Sequence, residues 1–388
     1  MAPKRRSSKK TAKKSSSKRR CTTSTTSPPP IAASIKKEED EVSAVTTNTN
    51  VDNNEVPTPS QLSEELCTIV SKRYSRDEAS CALDRLIQWA DTGDPEFLKL
   101  FHRYAGDIKV LDFLTATLID SNCVGTIRMR CIQKAANVLM LVCSQKHDGS
   151  NKEIVTKIAT SVMNYNGIDT LINASEEYFG GDDLPQVQAL ERVWAALASL
   201  ACHTGAMETA INKDKANILF DTGIDILVQL KSKDIATSVL GNVFVTLRNI
   251  VCCQYMEMKQ FQETTILSKC LDVFRNKDGM WGGRSEPVTD KAIRFIVSCY
   301  ETDLLDWDDD YEMLLPFLAM CLNKFGSVDR ILESAIFMIH DACYTIDEKK
   351  IIERSGIMEP LGALLASHDI NEEQKKKVHD IIVTIVTM

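Results

Sequence analysis

A short apolar segment that ends in a small residue recurs along the chain, and this repetition constrains the fold more than any other feature. The seven copies are RLIQWA (85–90), VLMLVC (138–143), LASLAC (197–202), LRNIVC (247–252), RFIVSC (294–299), MIHDAC (338–343) and IVTIVT (382–387). Their last residues lie 53, 59, 50, 47, 44 and 44 positions apart. A spacing that settles in the forties is typical of stacked helical repeats joined by loops of variable length.

The local pattern over 61–388 is helical. Apolar residues recur at spacings of three and four, and strand-like alternation is scarce. Helix-start signals recur as well, because Ser75, Thr345 and Asp369 each stand three residues before a glutamate, and Pro95 follows an aspartate. We therefore predict an all-α domain.

A second element, in which Gly and Ile precede a Leu-rich helix, follows several of the apolar segments. Glycine at such a turn supplies a positive φ or lets two helices approach closely. The four copies are YAGDIKVLDFL (104–114), YNGIDTLINAS (165–175), DTGIDILVQL (221–230) and RSGIMEPLGALL (354–365). The combined pattern resembles the armadillo repeat, and residues 191–232 match one full repeat in the expected order.

The resemblance covers about residues 75–388 and implies a right-handed superhelical solenoid of about six or seven armadillo-like repeats. In such a solenoid the third helices line a concave groove in which a partner protein binds. Helix position nominates Arg248, Asn249 and Tyr300 as groove residues. We expect a protein-interaction scaffold rather than an enzyme, because the chain has no Walker loop, no HExxH motif and no nucleophile elbow.

The first 60 residues differ from the rest in charge and composition. They hold 12 basic and 6 acidic residues, whereas residues 61–388 hold 34 basic and 48 acidic residues. Lys, Arg, Ser, Thr and Pro dominate the start of this segment, which therefore cannot bury enough surface to offset chain entropy. We predict a disordered Lys/Arg/Ser-rich tail at 1–60 and an armadillo-like helical domain at 61–388.

Two basic clusters in the tail are separated by eleven residues, as in a bipartite nuclear localisation signal. They consist of Lys4, Arg5 and Arg6, and of Lys18, Arg19 and Arg20. This spacing predicts that an import receptor recognises the tail and that the protein is nuclear. Shuttling from the cytoplasm is left open. The alternative is a chromatin- or RNA-associated factor. Such a factor would contact nucleic acid through the tail alone, because the acidic excess of residues 61–388 repels the phosphates of nucleic acid.

The tail also contains a modification pattern. Ile35, Lys36, Lys37 and Glu38, followed by further acidic residues, match the acceptor pattern for SUMO attachment at Lys36. A solvated charge run is the other interpretation of these residues.

The 13 cysteines are scattered and form no CxxC pair, which predicts reduced thiols and argues against a zinc ribbon. Five of them, Cys143, Cys202, Cys252, Cys299 and Cys343, end apolar segments, and we expect them to pack as small residues. We predict neither a metal nor another cofactor. No run of about 18 apolar residues occurs, so no membrane span is predicted.

A nuclear import adaptor is a third possible function, because adaptors of the armadillo class also carry a basic N-terminal segment. Their groove depends on a ladder of tryptophan and asparagine side chains. At the corresponding positions this chain has one asparagine, Asn249, and no tryptophan, and Trp194 is predicted to lie in the core. The basic tail is therefore interpreted as a cargo signal.

Overall fold

The computed structural model describes residues 76–106, 114, 126–144, 151–176, 184–203, 207, 213–230, 236–253, 266–276, 278–305, 307–345, 349–368 and 370–387. This described part is all-helical, as predicted, apart from turns and one isolated antiparallel bridge between Arg275 and Trp281. The chain divides into two units, Met1–Glu55 and Val56–Met388. The predicted tail and its boundary at residue 60 lie outside the described residues.

Fifteen helices follow one another in the described residues. They are α1 Arg76–Thr92, α2 Pro95–Gly106, α3 Thr126–Val142, α4 Lys152–Asn164, α5 Gly167–Glu176, α6 Leu184–Ala201, α7 Lys213–Leu230, α8 Thr237–Cys252, α9 Ile266–Asp272, α10 Glu286–Glu301, α11 Trp307–Phe325, α12 Asp329–Thr345, α13 Lys349–Arg354, α14 Met358–Ala366 and α15 Glu372–Thr387. None of these fifteen is both long enough and apolar enough to cross a membrane.

Seven helices pack in series and form what we call the segment row. In this row α1 packs on α3, α3 on α6, α6 on α8, α8 on α10, α10 on α12, and α12 on α15. These are the seven helices that carry the recurring apolar segments. The repetition in the sequence is therefore reproduced as a repetition of helix contacts.

Neighbouring helices of the segment row run in the same direction, as α8 and α10 show. Near their N-terminal ends the side chain of Lys291 lies against Gly241. Near their C-terminal ends Cys252 Sγ lies 3.7 Å from Ser298 Oγ. Equivalent positions of the two helices therefore lie side by side.

A second row of helices packs beside the segment row. Here α2 contacts α4, α4 contacts α5, and the series continues through α7, α9, α11 and α14. The two rows meet where α5 packs on α6, α7 on α8, α11 on α12, and α14 on α15. The apolar side chains of the core lie between the two rows.

A chain of buried phenylalanines crosses this core in the middle of the domain. Adjacent rings of the chain have centroids 5.1 to 6.4 Å apart and meet at tilted or edge-on angles. Its members are Phe220, Phe295, Phe244, Phe274 and Phe317. Burial of one such side chain contributes about 1.5–3 kcal/mol, so this chain holds the two rows together.

Trp194 of α6 is fully buried, which confirms its predicted place in the core. Its Nε1 donates a hydrogen bond of 2.9 Å to Ser175 Oγ of α5. A Cβ atom at Gly223 of α7 would lie 3.3 Å from the indole and 2.9 Å from Leu247 Cδ2. Gly223 therefore allows α7 to approach α6 and α8 closely. The expected turn is absent, because the buried stripe of α7 continues through Gly223.

At the other predicted glycine turns, the positive φ and the close packing are found at different residues. Gly356, between α13 and α14, adopts a φ of +77°, as expected of a turn glycine. Before α5 the positive φ of 62° belongs to Asn166. The adjacent Gly167 instead allows close packing, since a Cβ atom there would lie 2.5 Å from Val162 Cγ1.

The cap of α15 differs from the prediction, which placed it at Asp369 with Glu372 as its partner. Instead, the Asn371 N–H donates to Gln374 Oε1 at 3.0 Å, and the Gln374 N–H donates to Asn371 Oδ1 at 2.9 Å. Gln374 is buried and also donates to Asp329 Oδ1 of α12 at 3.2 Å. The observed cap thus lies two residues later than predicted and includes a residue that packs against α12.

His203 connects the end of α6 to the end of α3 and to α4. Its Nε2 donates to the Cys143 carbonyl at 2.8 Å, because a carbonyl oxygen can only accept, and its Nδ1 lies 3.4 Å from Thr156 Oγ1. Burial lowers the pKa of His203, the bond to the Cys143 carbonyl opposes this shift, and Lys152 adds to it. The folded protein therefore favours the neutral ring.

Substituting two glycines near the C-terminus should have opposite effects. Gly356→Ala is expected to destabilise the protein by about 1–2 kcal/mol, because an L-residue is strained at a positive φ although the space around it is open. Gly362→Ala, in the interior of α14 and equally unobstructed, should stabilise it by up to about 1 kcal/mol. Urea unfolding of the full chain measures both, and effects of the same sign would contradict the assignment.

Stability should decrease as the pH falls through the unfolded-state pKa of histidine, about 6.5. Because the pKa of His203 is lowered in the folded state, the unfolded state binds a proton first, so the free energy of unfolding declines with acidification. His203→Gln should reduce this decline between about pH 7.5 and 5.5. His368→Gln, at an exposed position after α14, is the matched control. Identical pH profiles for H203Q and H368Q would contradict this role.

Candidate functional site

Each helix of the segment row leaves one stripe of its surface half-buried or exposed. Residues three and four apart lie on the same side of a helix, so these stripes form one continuous side in the middle of the row. We call this side the row face. It comprises Asn242, Val245, Arg248, Asn249 and Cys252 on α8, Asp290, Lys291, Arg294, Val297 and Tyr300 on α10, and Arg330, Glu333, Ser334, Phe337, His340 and Asp341 on α12.

The three residues nominated from the sequence, Arg248, Asn249 and Tyr300, all lie on the row face and are half-buried. Arg248 Nε donates to Ser298 Oγ of α10 at 3.3 Å, which joins α8 to the next helix of the row. On the other side of α8, Asn249 Nδ2 donates to Cys202 Sγ at 3.4 Å. Both side chains therefore help to fix neighbouring helices and still reach the surface.

Tyr300 connects α10 to α12 in two ways. Its hydroxyl donates to Asp341 Oδ2, and its ring packs edge-on against Phe337 with centroids 6.1 Å apart. Phe337 is 46% exposed although it is a large apolar side chain. The two rings form an aromatic pair at the surface of the row face.

Three arginines lie across the row face on successive helices: Arg248 on α8, Arg294 on α10 and Arg330 on α12. Arg294 Nη1 lies 3.8 Å from Asp290 Oδ2, which is longer than a hydrogen bond. Burial lowers the pKa of Arg294, the charges of Arg248 and Arg330 lower it further, and Asp290 acts in the opposite direction. Arg248 and Arg330 are thus each close enough to Arg294 to affect it.

A fourth cation, Lys291, lies deeper in the row face. Its Nζ would be 3.0 Å from a Cβ atom at Gly241, so the absence of a side chain on α8 gives it room. Burial lowers the pKa of Lys291, and the charges of Asp290 and Glu191 oppose that shift. These two carboxylates therefore favour its charged form.

The cysteines that end the apolar segments do not share one environment. Cys143, Cys299 and Cys343 are buried, Cys202 is half-buried and Cys252 is exposed. Burial raises the pKa of Cys143 to about 12 and that of Cys343 to about 11. Packing as predicted is therefore confirmed for three of the five, whereas Cys252 lies on the row face. Within the described ranges no three His, Cys, Asp or Glu side chains are grouped so that they could hold a metal.

Arg294, Arg330 and Phe337 were not nominated from the sequence. A signal existed for Arg294, which stands as the one charged residue in the segment RFIVSC. Arg330 and Phe337 lie outside the segment motif and become neighbours of α10 only through helix packing.

The predicted tail sites lie outside the described residues. They are the localisation signal at Lys4, Arg5, Arg6, Lys18, Arg19 and Arg20, and the SUMO acceptor at Lys36. Both stay predictions from the sequence.

Comparison of the chain with protein-family models gave no match, and comparison with curated proteins gave no significant match. The function is therefore argued from the residues of the row face and from the charge of the tail.

Proposed function

We propose that this protein is a nuclear scaffold that binds a partner protein along the row face. The carrying observation is the serial packing of the seven segment helices, which leaves the nominated groove residues Arg248, Asn249 and Tyr300 on one side. In this proposal the helices form an armadillo-like right-handed solenoid of about six or seven repeats. The row face is then its concave groove, and the protein has no chemistry or cofactor of its own.

The size of the row face supports a macromolecular partner. Packed helices lie about 8–10 Å apart, so a face that crosses several of them is longer than a small-molecule pocket. Solenoids use such extended surfaces for protein binding.

The side-chain types on the row face support the same proposal. Arginine and tyrosine are enriched among the residues that dominate protein–protein binding energy, and Arg294 and Tyr300 supply both. Phe337 beside Tyr300 adds exposed apolar area. Burial of these groups by a partner would release water from apolar surface and satisfy the guanidinium donors.

The tail supplies the nuclear part of the proposal. Ten basic residues stand before Cys21, and the two clusters fit an import receptor that holds an extended chain. Attachment of SUMO at Lys36 would add a second, regulated binding element to the same tail.

A chromatin- or RNA-associated factor is the second candidate, and the same ten basic residues favour it. Residues 61–388 carry an acidic excess, so nucleic acid would bind the tail, and its affinity would fall steeply with salt. An import adaptor is the weakest candidate, because Asn249 is the single rung of the required ladder.

Capture from nuclease-treated nuclear extract should separate these candidates. We expect the full chain to retain a protein partner, and a full chain with its ten basic residues at 4–20 replaced by glutamine to retain the same partner. Phe337→Ala should reduce retention about tenfold, because it removes exposed aromatic area from the row face.

Ile218→Ala is the matched control for this experiment, because Ile218 is 53% exposed on α7, in the second row. It should retain the partner as the unsubstituted chain does. Loss of the partner on neutralising the tail, or equal loss with F337A and I218A, would contradict a scaffold that acts through the row face.

Neutralising the second basic cluster should abolish nuclear accumulation. Lys18→Gln, Arg19→Gln and Arg20→Gln together remove the charges that would enter one acidic pocket of the import receptor. Fluorescence microscopy of the tagged full chain measures the ratio of nuclear to cytoplasmic signal. The same number of substitutions at Lys99, Arg103 and Lys157, exposed on α2 and α4, is the control. An unchanged ratio in the cluster variant would refute the signal.

A further inference from the structure

The arginines of the row face lie on three successive helices, each within about one helical turn of the next. Arg248 reaches Ser298 of α10, one turn beyond Arg294. Tyr300, six residues after Arg294, contacts Phe337, which stands seven residues after Arg330. The cations therefore form an oblique row across the three helices, which we call the arginine row.

The guanidinium groups of Arg248 and Arg294 retain hydrogen-bonding capacity beyond their contacts within the row face. A guanidinium group carries five N–H donors, and the Arg248 bond to Ser298 uses one of them. Arg294 is 41% exposed at its side chain, and its contact to Asp290 is an ion pair at 3.8 Å without hydrogen-bond geometry. Arg330 is exposed.

The charge of the arginine row is opposite to that of the domain that contains it. Residues 61–388 have 48 acidic and 34 basic residues, yet these arginines lie on adjacent helices. Burial lowers the pKa of Arg294, the charges of Arg248 and Arg330 lower it further, and Asp290 opposes them, so both arginine neighbours are close to Arg294. The repulsion between like charges held together in this way decreases when an anionic group binds between them.

We propose that the arginine row binds an extended acidic peptide of the partner protein, with one carboxylate at each arginine. This inference rests on the proposed scaffold function and specifies the chemistry of its partner. Neighbouring helices lie about 8–10 Å apart. A chain in the extended polyproline II conformation advances about 3.1 Å per residue with three residues per turn, so every third side chain points to the same side. Acidic residues at every third position of the peptide therefore match the spacing of the row. The pair Tyr300 and Phe337 takes an apolar side chain beside them.

The binding test uses the full chain with its ten tail Lys and Arg residues replaced by glutamine, because the basic tail would itself attract an acidic probe. The probe is a fluorescein-labelled ten-residue peptide with glutamate at every third position, and its glutamine counterpart is the control. Fluorescence anisotropy at low salt should show binding of the glutamate peptide only. Raising the ionic strength tenfold should weaken it, since exposed charges are screened.

The substitutions Arg248→Gln, Arg294→Gln and Arg330→Gln together should weaken this binding at least about tenfold. The control substitutions Lys99→Gln, Arg103→Gln and Lys157→Gln remove the same charge from α2 and α4 and should change it less than about twofold. Equal weakening by both sets would overturn the inference, because binding would then follow overall charge. Absence of binding to the unsubstituted face would overturn it too.

Substitution of the same three arginines by lysine guards against a folding defect. It keeps the charges and should bind within about fivefold of the unsubstituted face, whereas loss equal to that of the glutamine set would overturn the inference. A single-stranded oligonucleotide that bound the arginine row more tightly than the peptide would also overturn it. If the unsubstituted row face does not bind the peptide but still captures a partner that F337A loses, the acidic peptide is rejected and the scaffold function stands. If it binds neither the peptide nor such a partner, both proposals are rejected.

Discussion

Every helix of the segment row depends on burying its apolar segment against the next copy of that segment. One helix has an apolar stripe that it cannot cover alone, and the second row covers only part of it. The buried phenylalanine chain then fixes the rows to each other in the middle of the domain. Because contacts run mainly between neighbours, a helix in the middle such as α8 has two row partners to lose, whereas α15 has one.

The sequence was sufficient to predict an all-helical domain, because apolar residues at spacings of three and four mark the buried side of each helix. It was not sufficient for the rotation of each helix. An α-helix turns about 100° per residue, so a one-residue error in alignment moves a side chain from the core to the surface. Cys252 and Cys299 show this, since they end equivalent segments and yet one is exposed and the other buried. The cap of α15 was misassigned for a related reason, because Gln374 of the observed cap also binds Asp329 of α12, a contact between helices that the local pattern does not contain.

The row face could be predicted in part. Arg248, Asn249 and Tyr300 were nominated from their place within the segments, and they reach the surface where neighbouring helices meet. Arg330 and Phe337 belong to no shared motif, because their role comes from lying beside α10. The composition of a surface built from several helices depends on how those helices pack against each other. A sequence pattern within one helix does not contain that information.

The double role of Gln374 has a consequence for how the end of the segment row opens. Its side chain closes the cap of α15 and also binds Asp329 of α12, so the first turn of α15 and its docking on α12 share one residue. Fraying of the first turn therefore breaks a contact with α12 as well as the cap, so docking on α12 and order in the first turn of α15 stabilise each other. The last helix should behave as one cooperative unit in hydrogen exchange, with its amides exposed together rather than progressively from the N-terminus.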